Sequence, residues 1–211
     1  MEKNLNADDI KTLIIDDILK YYDNIELIAA EVPYLYGKRK ADILLITQGT
    51  LVGFEIKSKY DQLSKLLSQT NDYLNVFNLY YIVLSEKFKT SSIIKKIPKR
   101  VGIIYIGDNG KVQHYRQALL RKNIDKRFSM LFMWKSDIKK YLNINNLDSI
   151  KETRERFIKQ YSNNQIFNYS LQALKQRYQY GYQLFLKEKG LFTNVDDLKN
   201  LTKIRKTDYL Y

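Results

Sequence analysis

Lys40-Ala41-Asp42-Ile43-Leu44-Leu45-Ile46-Thr47-Gln48-Gly49-Thr50-Leu51-Val52-Gly53-Phe54-Glu55-Ile56-Lys57-Ser58 is the stretch that decides how this chain folds. Two runs of strand length, Lys40 to Ile46 and Leu51 to Lys57, flank the turn Thr47-Gln48-Gly49-Thr50. A two-residue loop at Gln48-Gly49 pairs Thr47 with Thr50, Ile46 with Leu51 and Leu44 with Gly53. Continued outward, that register sets Asp42 opposite Glu55. Directly opposed residues share a face, and Lys57, two positions on, shares it too. Ile43, Leu45, Phe54 and Ile56 then point into the core. The hairpin therefore gathers two carboxylates and a lysine. Like charges held that close need a cation between them or a proton on one of them. A salt-bridge cluster on an exposed sheet face explains the pattern equally well at this point.

Outward from the hairpin, Asp8 to Tyr22 carries apolar residues at helical spacing, with Asn6 or Asp8 as a cap. Ile25 to Val32 reads as a strand closed by Pro33. Asp61 to Phe77 reads as an amphipathic helix with Gln62, Lys65, Gln69 and Tyr73 on one polar stripe. Leu79 to Leu84 is a strand, Lys89 to Ile97 a short helix, and Val101 to Ile106 with Lys111 to Tyr115 a strand pair. The order α-β-β-β-α-β places a helical crossover between the third and fourth strands, which implies parallel pairing within a mixed sheet. After about Gln117 helical patterns take over: Ser129 to Leu142, Asp148 to Tyr161 and Asn164 to Lys187. The expected organisation is an α/β core over 1–117 and a helical C-terminal extension over 118–211.

Composition narrows the chemistry. The chain has 211 residues, no cysteine and one histidine, His114. Disulfides, cysteine nucleophiles and multi-histidine metal sites are thereby excluded within one chain. Carboxylates, lysines and hydroxyls remain, and a metal among them would be a hard one, Mg²⁺ or Mn²⁺. No apolar run reaches the roughly 18 residues of a membrane span, and the polar start lacks a signal-peptide core, so a cytoplasmic protein is expected. The net charge is +13, unevenly spread. Residues 1–30 hold seven acids and three bases, whereas the remainder holds sixteen acids and thirty-three bases, a net of +17. Such an excess attracts polyanions, although a solvated lysine-rich surface would look the same. The basic stretch Lys87 to Arg100 divides between those readings. The tyrosines at 169, 178, 180 and 182 read as helix packing, Trp134 as core and His114 as a surface strand residue.

Asp42, twelve residues, then Glu55-x-Lys57, followed by Gln69 in a helix, resembles the PD-(D/E)XK nuclease superfamily, whose core archaeal Holliday junction resolvases share. The nearest likeness is to a bacterial and phage branch, carried by Asp8-Asp9-Ile10-Lys11, Glu31, Lys40-Ala41-Asp42-Ile43, Gly53-Phe54-Glu55-Ile56-Lys57-Ser58, Asp61-Gln62-Leu63 and Gln69-x-x-x-Tyr73. It runs over about residues 8–106 and, more loosely, through Leu131 to Asp137 and on to Arg177. Ala41 stands in place of the superfamily's Pro, and Lys40 and Lys65 in place of the branch's Arg. The resemblance implies a restriction-endonuclease-like core and Mg²⁺- or Mn²⁺-dependent cleavage of DNA. It makes Asp42, Glu55, Lys57 and Gln69 catalytic, with Asp42, Glu55, the Ile56 carbonyl and Glu31 as metal ligands. Asp9, Lys40, Ser58, Lys65 and Tyr73 would support them. Glu31 paired with Arg39 is the alternative to Glu31 as ligand. A non-catalytic nucleic-acid-binding module or a protein-interaction protein on the same fold is the alternative to the enzyme.

Overall fold

The computed structural model describes residues 4–35, 37–144 and 149–204. Six strands lie in the order β1-β2-β3-β4-β5-β6: Ile25–Tyr34, Arg39–Thr47, Thr50–Lys57, Leu79–Ser85, Gly102–Ile106 and Val112–Arg116. The first three pair antiparallel, β3, β4 and β5 are parallel, and β6 returns antiparallel. The parallel crossover runs through α2, Leu66–Val76. The mixed sheet flanked by helices is therefore as expected. The hairpin register is also as expected from Thr47↔Thr50 to Ile43↔Phe54. Gln48 and Gly49 both take positive φ, 46° and 68°, which gives the tight turn whose twist suits a hairpin.

Both faces of the central strands are buried, not one. Ile43, Leu44, Leu45 and Ile46 are all fully enclosed, because helices cover the sheet on each side. α1, Ala7–Tyr21, lies on the face of Phe54 and Ile56, where His114 of β6 bonds its Asp17 (2.8 Å). α2 lies on the face of Asp42 and Glu55. Gly53 permits this, since a Cβ there would sit 2.8 Å from the Phe77 ring. The site therefore lies beneath a helix and is not an open salt-bridge surface.

Several helices differ from expectation. α2 starts at Leu66, not Asp61, because Asp61 turns back to accept hydrogen bonds from Ser58 N (2.8 Å) and Oγ (2.6 Å). The expected stripe consequently shrinks to Gln69 and Tyr73: Gln62 lies in the connector and Lys65 is an exposed N-cap without a side-chain cap bond. In place of a helix over 89–97 there are two 3₁₀ turns, Glu86–Phe88 and Ser92–Lys96. The expected helix over 129–142 is broken into α3 (Lys126–Ser129), a 3₁₀ turn (Met130–Phe132) and α4 (Lys135–Leu142). α5 spans Ile150–Gln160, and the expected start at Asp148 lies outside the described residues. α6 spans Asn163–Glu188, and α7, Val195–Leu201, was not anticipated.

Helices beyond Gln117 share the core of the sheet. Leu171, Leu174, Tyr178, Tyr182 and Phe185 of α6, with Leu198 and Leu201 of α7, join the same apolar cluster as the sheet. A second, smaller cluster holds Met130, Met133, Ile138, Phe157 and Ile166. Trp134 is half-buried, not core, and carries the Arg177 guanidinium 3.6 Å above its ring. Tyr178 and Tyr182 pack inward as expected, while Tyr180 is exposed. Among the described residues no helix is long and apolar enough to cross a membrane.

Candidate active site

The ladder between β2 and β3 stops at Ile43↔Phe54, and there the side chains take over. Asp42 Oδ2 accepts a hydrogen bond from the Ile56 backbone N–H at 2.7 Å. Glu55, buried beside it, uses both its oxygens. Oε1 accepts from Lys57 Nζ (2.6 Å) and Oε2 from the Tyr73 hydroxyl (2.5 Å). The same hydroxyl lies 2.7 Å from the Lys40 carbonyl; its single proton serves the charged acceptor in the stronger bond. Tyr73 is held in place by stacking on Tyr80 (4.5 Å between centroids) and Phe77 (5.4 Å). The hairpin and α2 are tied a second time by Arg39 Nε on Asp72 Oδ2, 2.8 Å.

The charges here are in conflict. Burial, together with the Glu55 charge, pushes the Asp42 carboxyl up to about 7, against the opposing pull of the Ile56 N–H and Lys11. A paired-carboxylate site of this kind is relieved by a proton or by a cation. Its donor set, two carboxylates with the Ile56 carbonyl next to Glu55 in sequence, suits a hard divalent ion. Mg²⁺ in particular is held by one or two carboxylates and keeps several waters. Among the described residues no three Asp, Glu or His side chains converge on one point.

Glu31 stands opposite Asp42 on β1, where the β1–β2 ladder passes from Ala30↔Ile43 to Val32↔Ala41 without pairing them. Its φ of 55° puts a non-glycine residue in the left-handed region in mid-strand, a conformation that persists only where the surroundings enforce it. Both its oxygens are taken, Oε1 by Lys11 and Oε2 by Lys40 (3.0 Å). Glu31, expected as a ligand, is here an ion-pair hub. Its partners are these lysines, since Arg39 pairs with Asp72 instead. Burial pushes the Glu31 carboxyl up, but Lys11 and Lys40 outweigh it and hold it below the usual range. Burial likewise pulls Lys11 down, and Glu31, Asp8 and Asp42 more than reverse that.

Lys11 is the residue that sequence reading missed. It is 8% exposed and reaches from α1 to Glu31 and to Asp8 (3.0 Å). Its signal was the acid-rich first turn preceding it. Asp9, expected in a supporting role, accepts with Oδ2 from Asn6 N (2.9 Å) and so caps its own helix. Asp16 holds Thr193, and Asp17 holds His114. Asp8, through Lys11, is the first-helix acid linked to the site. Ser58 ends β3 by bonding Asp61, and Lys65 makes no side-chain contact with the centre. Gln69 sits one helical turn before Tyr73, with its Oε1 buried and without a hydrogen-bond partner among the described residues.

Residues 1–202 match the family model described as Bacteriophage P4 protein cII. The chain belongs to this family. Protein cII of Enterobacteria phage P4 is 29% identical over 147 residues, covering 66% of this chain and 55% of that protein. The chain thus spans about half the length of the curated cII relative it matches. Among solved structures it is similar to the SPO1766 protein of unknown function from Silicibacter pomeroyi. That likeness has 13% identity and a TM-score of 0.43, and covers 90% of this chain and 99% of that one. The matched cII region contains every residue of the constellation described above, from Lys11 to Tyr73.

Proposed function

We propose that this cII-family chain is a metal-dependent deoxyribonuclease with a restriction-endonuclease-like core of the PD-(D/E)XK type. The observation that carries this reading is the meeting of Asp42, Glu55 and Lys57 at the point where the β2–β3 ladder ends, with Asp42 pushed up to about 7 by burial and Glu55. Two carboxylates in enforced conflict beside a lysine are costly to keep, and phosphodiester hydrolysis makes use of all three. Asp42, Glu55 and the Ile56 carbonyl would hold Mg²⁺ or Mn²⁺. The ion would supply activation of water and neutralisation of charge developing on the phosphate. Tyr73 fixes the orientation of Glu55, and the Ile56 N–H fixes that of Asp42. Lys57 brings a positive charge beside the carboxylates, where a phosphate oxygen would need it. Gln69 adds a buried side-chain carbonyl oxygen that has no hydrogen-bond partner among the described residues. The net +17 of residues 31–211 favours a polyanionic partner.

The test is incubation of the purified protein with duplex, single-stranded, branched and flapped DNA. Each form is given Mg²⁺, Mn²⁺ or chelator. Cleavage of at least one form, abolished by chelator, is expected. If every form is bound and none is cut, the chain is a binding module. If none is bound, the protein-interaction reading replaces both.

A further inference from the structure

A second feature lies on the same face of the sheet as the carboxylates. Lys57, Leu84, Tyr105 and Gln113 form one row across β3, β4, β5 and β6. Paired residues share a face, so Tyr105 and Gln113 stand on the side that carries Glu55 and Lys57; Tyr115 is the residue skipped where the β5–β6 register shifts, and its ring meets that of Tyr105. With strands about 4.8 Å apart, β5 lies about 10 Å and β6 about 14 Å from Lys57. The parallel strands β3, β4 and β5 all end at this edge.

Here a cleft of about 410 Å³ opens between the turn segment after β4 and the last two strands, lined by Lys89, Thr90, Ser91, Lys95, Tyr105 and Tyr115 among others. Tyr105 is buried. Tyr115 is 64% exposed and stands edge-on to it, 5.4 Å between centroids and 63° between planes. Lys89 lies over the Tyr105 ring at 5.4 Å and bonds Glu86 and Gln113. Lys95 makes no ion pair or hydrogen bond among the described residues. The segment 86–100 holds one acid, Glu86, against Lys87, Lys89, Lys95, Lys96, Lys99 and Arg100. An exposed ring fixed on a buried one has little reason to be there for packing. Set beside Lys95, which no acid pairs among the described residues, and Lys89, which shares Glu86, it has the two things a nucleic-acid strand recognises: a flat surface for a base and positive charge for its phosphates.

We infer that this cleft binds a single-stranded stretch of DNA that flanks the phosphate held at Asp42 and Glu55, with a base on Tyr115 and phosphates at Lys95 and Lys89. The inference rests on the nuclease reading for what happens at the carboxylates, but not for the binding itself. A duplex presents its bases edge-on in a stack and cannot lay one on Tyr115; a single strand can. The lateral distance from Lys57 fits a separation of a few nucleotides.

The test measures binding without cleavage. Fluorescence anisotropy of a labelled single-stranded oligonucleotide and of its duplex is recorded in chelator, for wild type, Tyr115→Ala, Tyr115→Phe and Lys95→Ala. Both positions are on the surface, and circular dichroism checks the folds. Tyr115→Ala should weaken single-strand binding roughly 5- to 100-fold and leave duplex binding within about twofold, and Tyr115→Phe should restore it. Lys95→Ala should lower the salt slope of single-strand binding by about 1. Equal single-strand affinity for wild type and Tyr115→Ala, or no single-strand binding by wild type at low salt, would overturn the inference. Cleavage is read separately. Tyr115-dependent binding without cleavage counts against the nuclease alone, and cleavage without Tyr115-dependent binding counts against the cleft alone.

Discussion

Asp42 shows how one residue carries two loads. Its carboxylate completes a strand ladder by accepting the Ile56 N–H, and it also bears a charge that burial and Glu55 oppose. The carboxyl is raised in the folded chain relative to the unfolded one, so the folded state holds the extra proton between about pH 4 and pH 7. Without divalent ions, the contribution of this group to stability is therefore greatest in acid and falls as pH rises through about 7. Asp42→Asn keeps an oxygen for Ile56 and removes the charge. In chelator at pH 8 the variant should be more stable than wild type, on the order of 2 kcal/mol in urea unfolding. At pH 4 the difference should shrink towards zero. A variant less stable than wild type at pH 8 would mean that Asp42 bears no such load.

At the level of elements, α6 and the end of α7 meet backbone to backbone at Gly181. A Cβ on Gly181 would lie 2.3 Å from the Asn200 carbonyl and 2.6 Å from that of Lys203, both backbone atoms that cannot swing aside. In an isolated helix Gly→Ala gains about 1 kcal/mol. Here Gly181→Ala should lose about 1 to 3 kcal/mol net, as overpacking does, and lower Tm by several degrees. A thermal scan showing a higher Tm would mean that α7 is not held where it lies. The elements that were legible in the sequence are those set by local chemistry. The 46–51 turn fixed the hairpin register, and with it the meeting of Asp42, Glu55 and Lys57. Elements decided by distant partners were not legible. Asp61 is spent on Ser58, so α2 starts late. Glu31 sits in a left-handed conformation that no periodicity announces. Lys11 points to a carboxylate twenty residues away. α7 is too short for a helical period to stand out, and Asn194, which caps it, reads as a loop residue until the helix is known.

At the scale of the whole molecule, the acidic first helix and the basic remainder are not two separate surfaces. Acids of α1 are consumed internally, Asp8 by Lys11, Asp9 by its own helix, Asp16 by Thr193 and Asp17 by His114. The surplus of bases is left to face solvent. DNA affinity should accordingly fall steeply with salt, roughly a thousandfold between about 50 and 200 mM if half a dozen phosphates are contacted. Titration of labelled DNA at a series of salt concentrations gives the slope directly. A flat response would point to a protein partner.

The most direct measurement compares cleavage and binding for wild type, Glu55→Gln, Lys57→Met and the double variant under one set of salt and Mg²⁺ conditions. Each single change strands a buried charge, since Lys57 and Glu55 pair at 2.6 Å, and that alone can cost several kcal/mol of stability. The double variant removes both charges and leaves neither stranded, so it should fold at least as well as the singles. Glu55→Gln should bind DNA as wild type does or slightly more tightly, because a negative charge facing the phosphates is gone, whereas Lys57→Met, which loses one cation among many, should bind slightly less tightly. Cleavage should fall about 10²- to 10³-fold or more in each single variant, the cost of losing one electrostatic contact to the reacting group. It should be no better in the double variant. Wild-type rates in a folded double variant would contradict the assignment of Asp42, Glu55 and Lys57 as the active centre.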